Sequence, residues 1–187
     1  VKAYHQDRGD KARTKIILTD SSHGTNPAST VMTGFKISVV ATDDEGNVDM
    51  KSLDSMMNEE VAALTLTMPT TLGLFDPQIA EISQLVHKRG GLMGADGANL
   101  NAFVGRTKFG ELGYDYVQLN LHKTFSTPHG GGGPGSGPIS TKGNLAAFLP
   151  SPVVAKNNGQ YTLTSPPKTI GEICGFYGNF GVMVKAY

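Results

Sequence analysis

Val61-Ala-Ala-Leu-Thr-Leu-Thr67, the stretch Asp76–Arg89, and Gly91-Leu-Met-Gly-Ala95 with Asp96 behind it decide the fold of this chain. The first is short and almost wholly apolar or β-branched, which reads as a buried strand. In the second, Ile79, Ile82, Leu85 and Val86 recur on one face at helical spacing, and Gly90-Gly91 end the helix. The third is a short apolar run again. Strand, helix and strand of these lengths make a βαβ unit, and hence parallel strands covered on both faces. Outward from this unit, Lys15–Thr19 and Lys36–Ala41 read as earlier strands, Tyr116–Leu121 and Pro138–Thr141 as later ones. Asn26-Pro27 is expected to open a helix, with Asn26 as N-cap and Pro27 at the first helical position. Asp49–Asn58 reads as another helix. The expected class is α/β: three layers around a mostly parallel sheet, forming one domain over residues 1–187.

That length suffices for one domain with a sizeable core and not for two. The 16 basic side chains balance 16 acidic ones. A grip on nucleic acid or a polybasic membrane anchor would need a basic surplus, so both are excluded as readings. No apolar stretch approaches the ~20 residues that span a bilayer. Nor does Val1-Lys2-Ala3-Tyr4-His5 resemble a signal peptide. Cys174 is the only cysteine, which forbids an internal disulfide and points to a reducing compartment. The expected location is the cytoplasm, or the mitochondrial matrix in a eukaryote. Glycine is abundant at 24 of 187 residues, against a usual share of roughly 7%. Backbones are therefore expected to come close to one another or to a ligand. Both ends read as stopping inside an element, so a piece of a longer chain is expected.

Ligands of such sheets gather beyond the carboxyl ends of the strands. There the sequence places Asp20–Ser29, Met68–Gly73, Asp96–Asn101 and Asn120–Gly137. An apolar run ending at Asp96 and, about 27 residues later, another ending at Lys123 suit a pyridoxal phosphate site. A lysine amine condenses with the cofactor aldehyde, and a carboxylate pairs with the pyridine nitrogen. The competing reading is a turn-capping Asp96 and a solvated Lys123. His23 suits a stack on the cofactor ring, a contact to substrate, or a plain polar role before a helix. No zinc-ligand spacing supports a metal at His122 and His129. A nucleophile at Ser126 or Ser136 with His129 lacks a Gly-x-Ser-x-Gly elbow, and nothing favours Cys174. The run Gly130–Gly137 lacks the Gly-Lys-Ser/Thr ending of a phosphate loop and reads as a tight loop.

Taken whole, Asn120-Leu-His-Lys-Thr-Phe-Ser-Thr-Pro-His129 and the glycine run after it resemble the cofactor-lysine signature of the glycine decarboxylase P-protein family. Ser22-His-Gly-Thr-Asn-Pro-Ala-Ser29, Asp96-Gly-Ala-Asn-Leu-Asn-Ala102 and Phe176-Tyr-Gly-Asn-Phe-Gly181 resemble it in the same order. The likeness runs from about Tyr4 to the end. It is strongest to the second subunit of the two-subunit form, or the equivalent half of the single-chain form. It implies the large-domain core of a fold-type-I enzyme that uses pyridoxal 5'-phosphate. Lys123 would hold the cofactor aldehyde and Asp96 the ring nitrogen. His23 would stack on one ring face and Ala98 pack on the other, with Thr25, Asn99, His122 and Thr71 as further contacts to cofactor or substrate.

The resemblance further implies glycine as substrate and a lipoylated H-protein as acceptor of the aminomethyl group. It also implies the other P-protein subunit or half as partner, in a dimer or heterotetramer, and an oxidoreductase classification. Other fold-type-I enzymes (aminotransferases, amino-acid decarboxylases, desulfurases) are the alternative, as is a structural half without catalysis. The family's upstream phosphate-binding glycine/serine segment and its C-terminal small domain are missing from these residues. The stretch by itself is thus expected to hold the cofactor weakly and to be inactive. Met68 and Cys174 stand where the family carries Asn and Arg, and Ala95 where it carries a bulkier side chain.

Overall fold

The computed structural model describes residues 1–125, 135–173 and 177–187. Strands β1 (Lys15–Thr19), β2 (Lys36–Val40), β3 (Val61–Thr67), β4 (Leu92–Gly97), β5 (Tyr116–Leu119) and β6 (Ile139–Thr141) form one sheet. Their order is β2-β1-β3-β4-β5-β6. The first five run parallel, and β6 lies antiparallel on β5. Helices α1 (Lys2–Asp7), α2 (Thr25–Met32), α3 (Met50–Met56) and α4 (Ile79–Lys88) are followed by three short ones: α5 (Leu121–Thr124), α6 (Gly143–Ala146) and α7 (Phe180–Ala186).

Two apolar clusters show the three layers. Alternate strand residues point to opposite faces, and Ile17, Leu64, Leu66, Met93 and Ala95 pack with Leu53 of α3 and Ile79, Ile82 and Val86 of α4. Across the sheet, Ile16, Leu18, Ala62, Ala63 and Leu92 pack with Phe35 and Leu145, and with Tyr4 of α1. Both faces of β3 are therefore buried, which explains its unbroken apolar run. The expected α/β architecture is the one observed.

Local differences have local reasons. Asp49 proves to be a cap outside α3, its carboxylate accepting from the N–H groups of Lys51 (2.9 Å) and Ser52 (3.2 Å). Asp76 stands ahead of α4, where it accepts from Val48 N and Gln78 N. Gly24, not Asn26, is the N-cap of α2. Asn26 lies inside the first turn and its side chain turns elsewhere. Nothing in the apolar periodicity points to the hairpin β7 (Val153–Asn157) and β8 (Gln160–Thr164). Its turn is Asn158-Gly159 with both residues at positive φ, the backbone that matches strand twist in a two-residue hairpin.

The amino ends of the strands are closed by polar ties. Asp115, just ahead of β5, accepts from Met93 N (2.8 Å) and meets His87 Nε2 of α4 at 2.7 Å and Lys142 Nζ at 3.6 Å. Arg13 donates to the carbonyls of Val61 and Arg89. His5 of α1 is 1% exposed, and its Nε2 donates to Ala62 O at 2.8 Å. Burial holds the His5 pKa below its ordinary value, against the opposing pull of the Ala62 carbonyl and Asp10. The folded chain binds that proton less readily than the unfolded chain. The stability due to neutral His5 is therefore whole above about pH 6.5 and is lost as pH falls below it. Urea midpoints measured from about pH 7 down to about pH 5 should fall more steeply for the wild type than for His5→Gln. Parallel curves would show that His5 has no part in acid sensitivity.

Candidate active site

From β1 the chain crosses to β2 on one side and then returns to β3 on the other, so the carboxyl ends of β1 and β3 flank the crevice where such sheets bind ligands. Asp96 stands at the carboxyl end of the neighbouring β4, level with Thr67 on β3 and Gln118 on β5. It is 7% exposed. Its Oδ1 accepts from Ala98 N at 3.0 Å, closing a turn that carries Ala98 against it. Its Oδ2 accepts from Asn26 Nδ2 at 3.1 Å and lies 3.4 Å from the Thr67 hydroxyl.

Every one of these donors is neutral. Among the described residues no cation pairs with Asp96, whereas the equally buried Asp115 has both His87 and Lys142. Among the described residues Asp76 also lacks a cation, but two backbone N–H groups, of Gln78 at the head of α4 and of Val48 ahead of α3, occupy its oxygens. Burying a carboxylate without a counter-charge costs several kcal/mol. At the mouth of a ligand crevice, that leaves Asp96 suited to a cationic ring nitrogen, and the residues present fit pyridoxal phosphate.

Lys123 lies one strand over. After β5, Asn120 leads into the single turn α5, which carries Lys123 exposed. This turn packs against the 3-10 turn Leu100–Ala102 that follows Asp96. Glycines permit the close approach: a Cβ on Gly97 would sit 2.6 Å from Gln118 O, and one on Gly135 2.8 Å from His122 Nδ1. Among the described residues the Lys123 ammonium has no acceptor. Asn120 donates to His122 Nε2 at 3.3 Å.

His23 is exposed ahead of α2, and its Nδ1 accepts from Thr25 N at 3.1 Å, which puts its remaining ring proton on Nε2. Thr25 and Thr71 are exposed as well. Asn99 spends its amide hydrogens on the carbonyls of Pro69 (2.9 Å) and Thr70 (3.4 Å), so it holds the loop that carries Thr71. Met68 is fully buried in the apolar core, and Ala95 is buried in the same cluster. Ser126, His129, Cys174, Phe176 and the glycines 130–133 lie outside the described residues. Asn26 and Thr67 escape a reading by sequence. A cap role accounts locally for Asn26, and its partner is 70 residues away.

An acid at the carboxyl end of one parallel strand and a lysine after the next, in a sheet buried on both faces, define the large domain of a fold-type-I pyridoxal phosphate enzyme. The chain belongs to the aminotransferase class-V family, which matches residues 2–132. It is 55% identical over its whole length to the probable glycine dehydrogenase (decarboxylating) subunit 2 of Caldanaerobacter subterraneus, and 56% identical to that of Treponema denticola. It spans 39% of the length of each. Among solved structures, the sphingosine-1-phosphate lyase of Burkholderia pseudomallei shares the fold at a TM-score of 0.68 and 17% identity, over 98% of this chain and 43% of that one. The cysteine desulfurase of Thermococcus onnurineus does so at 0.63 and 18%, over 92% and 43%.

Replacing Asn99 by Ala should release the loop from Pro69 to Leu74. Hydrogen exchange there should quicken about tenfold, while β3 and β4 keep their protection. Unchanged exchange in the loop would show that Asn99 is not its anchor.

Proposed function

We propose that the full-length protein decarboxylates glycine and transfers the remaining aminomethyl group to the lipoyl disulfide of an H-protein, with pyridoxal 5'-phosphate held on Lys123. The observation that carries this reading is the buried Asp96, without a cation among the described residues, at the strand next to the turn that bears Lys123. The names of the relatives at 55% and 56% identity support the choice of glycine.

In this reading Lys123 would hold the cofactor aldehyde, and Asp96 would accept from the ring nitrogen. His23, its Nδ1 tied to Thr25 N, would stack on one face of the ring, and Ala98 would pack on the other. Thr25 and His122 border the same crevice, and Asn99 sets the loop carrying Thr71 at its rim. When bound, the cofactor supplies an electron-poor ring that takes the electron pair left on the glycine α-carbon as carbon dioxide departs. A bond from that carbon to one lipoyl sulfur then forms as the disulfide breaks, and the second sulfur takes a proton. The disulfide is the oxidant, reduced in the step. The other P-protein subunit or half completes the assembly, a dimer or heterotetramer, and the phosphate-binding segment belongs to the rest of the protein.

Borohydride treatment of the full-length protein loaded with pyridoxal phosphate, followed by peptide mass spectrometry, should find the adduct on Lys123 alone. Lys123→Ala should bring glycine–carbon dioxide exchange down to background. An adduct on another lysine, or exchange persisting in this variant, would overturn the assignment.

A further inference from the structure

The Asn26 amide is the shortest side-chain contact to Asp96, at 3.1 Å, and it arrives from a different element. Asn26 sits in the first turn of α2, its backbone N–H on His23 O at 2.9 Å and its carbonyl taken by the Thr30 hydroxyl at 2.8 Å. A carboxylate only accepts, so the atom of Asn26 that faces it has to be nitrogen. The same nitrogen lies 3.4 Å from Thr67 Oγ1, whose own hydroxyl reaches Asp96 Oδ2. Asn26 thus fixes Oδ2 from one side, while Ala98 N fixes Oδ1 from another. The turn that presents His23 is the turn that holds Asn26. The two groups meant for the cofactor ring, one at its face and one at its nitrogen, are thereby coupled through a single side chain.

We propose that Asn26 is a positioning residue: its amide aims the Asp96 carboxylate at the cofactor's ring nitrogen and spaces it from His23. This rests on the reading that Asp96 pairs with that nitrogen. A bare tie between α2 and the sheet would account for the hydrogen bond equally well, but it would affect every ligand of the crevice alike. Aiming at the ring nitrogen concerns only a ligand that has one.

The test uses full-length protein with its partner subunit and compares dissociation constants for pyridoxal phosphate and for its analogue with carbon in place of the ring nitrogen. The wild type should prefer pyridoxal phosphate. Asn26→Ala should cut that preference about tenfold, the worth of one hydrogen bond to a charged group. Asn26→Asp, nearly the same size, should cut it at least as far by setting oxygen against oxygen, and it gives the reading if the alanine variant does not fold. In an Asp96→Ala background, Asn26→Ala should change the preference no further. Equal weakening of both ligands by both variants would reduce Asn26 to a structural tie and overturn the proposal, with the ring-nitrogen role of Asp96 intact. A wild type with no preference would overturn that role itself.

Discussion

A carboxylate buried at the end of β4 has to be supplied with hydrogen bonds, and the way Asp96 receives them organises this site. Unpaired buried charge costs several kcal/mol, and neutral donors recover part of it without cancelling the charge. Those donors come from three places: the first turn of α2, the end of β3 and the turn after β4. The last is local to its turn, but the first two are in place only when α2 and β3 are docked beside β4. The charge left over lies at the carboxyl end of β4, on the side of the sheet where ligands of such folds bind.

The two ends of the same strands are treated oppositely. At the amino ends, acids meet bases: Asp115 has His87 and Lys142, and Arg13 clamps the backbone of β3 to the end of α4. At the carboxyl ends, Asp96 is left without a cation and Lys123 without an anion among the described residues. Paired charge holds the sheet together at one end, and unpaired charge waits for a ligand at the other. The crossing from β2 to β3 past β1 puts both kinds of end where they are needed.

Several elements were legible in the sequence. Val61–Thr67 is a strand with the expected limits, because a run buried on both faces is made of apolar and β-branched residues. Asp96 was expected just past its strand and proves to be among the last paired residues of β4, while Lys123 follows the neighbouring β5. The hairpin at 153–164 was also written in the sequence, in Asn158-Gly159, but its strands are largely exposed and carry no burial pattern to draw attention to it. Asn26 looked like a cap because Asn before Pro at a helix start commonly is one. Gly24 takes that position, which frees the amide for Asp96.

By itself, then, the sequence determined which segments are strands and which are helices, the class of fold, and the strings that resemble one family. All of these depend on residues near one another in the chain, where apolar spacing and turn chemistry act. The tertiary structure alone decided that Asn26 holds Asp96, that Asn99 holds the carbonyls of Pro69 and Thr70, and that Met68 belongs to the core. Such hydrogen bonds join residues 29 to 70 positions apart. Only the register of parallel strands, set by helices that cross over the sheet, brings them within hydrogen-bonding distance.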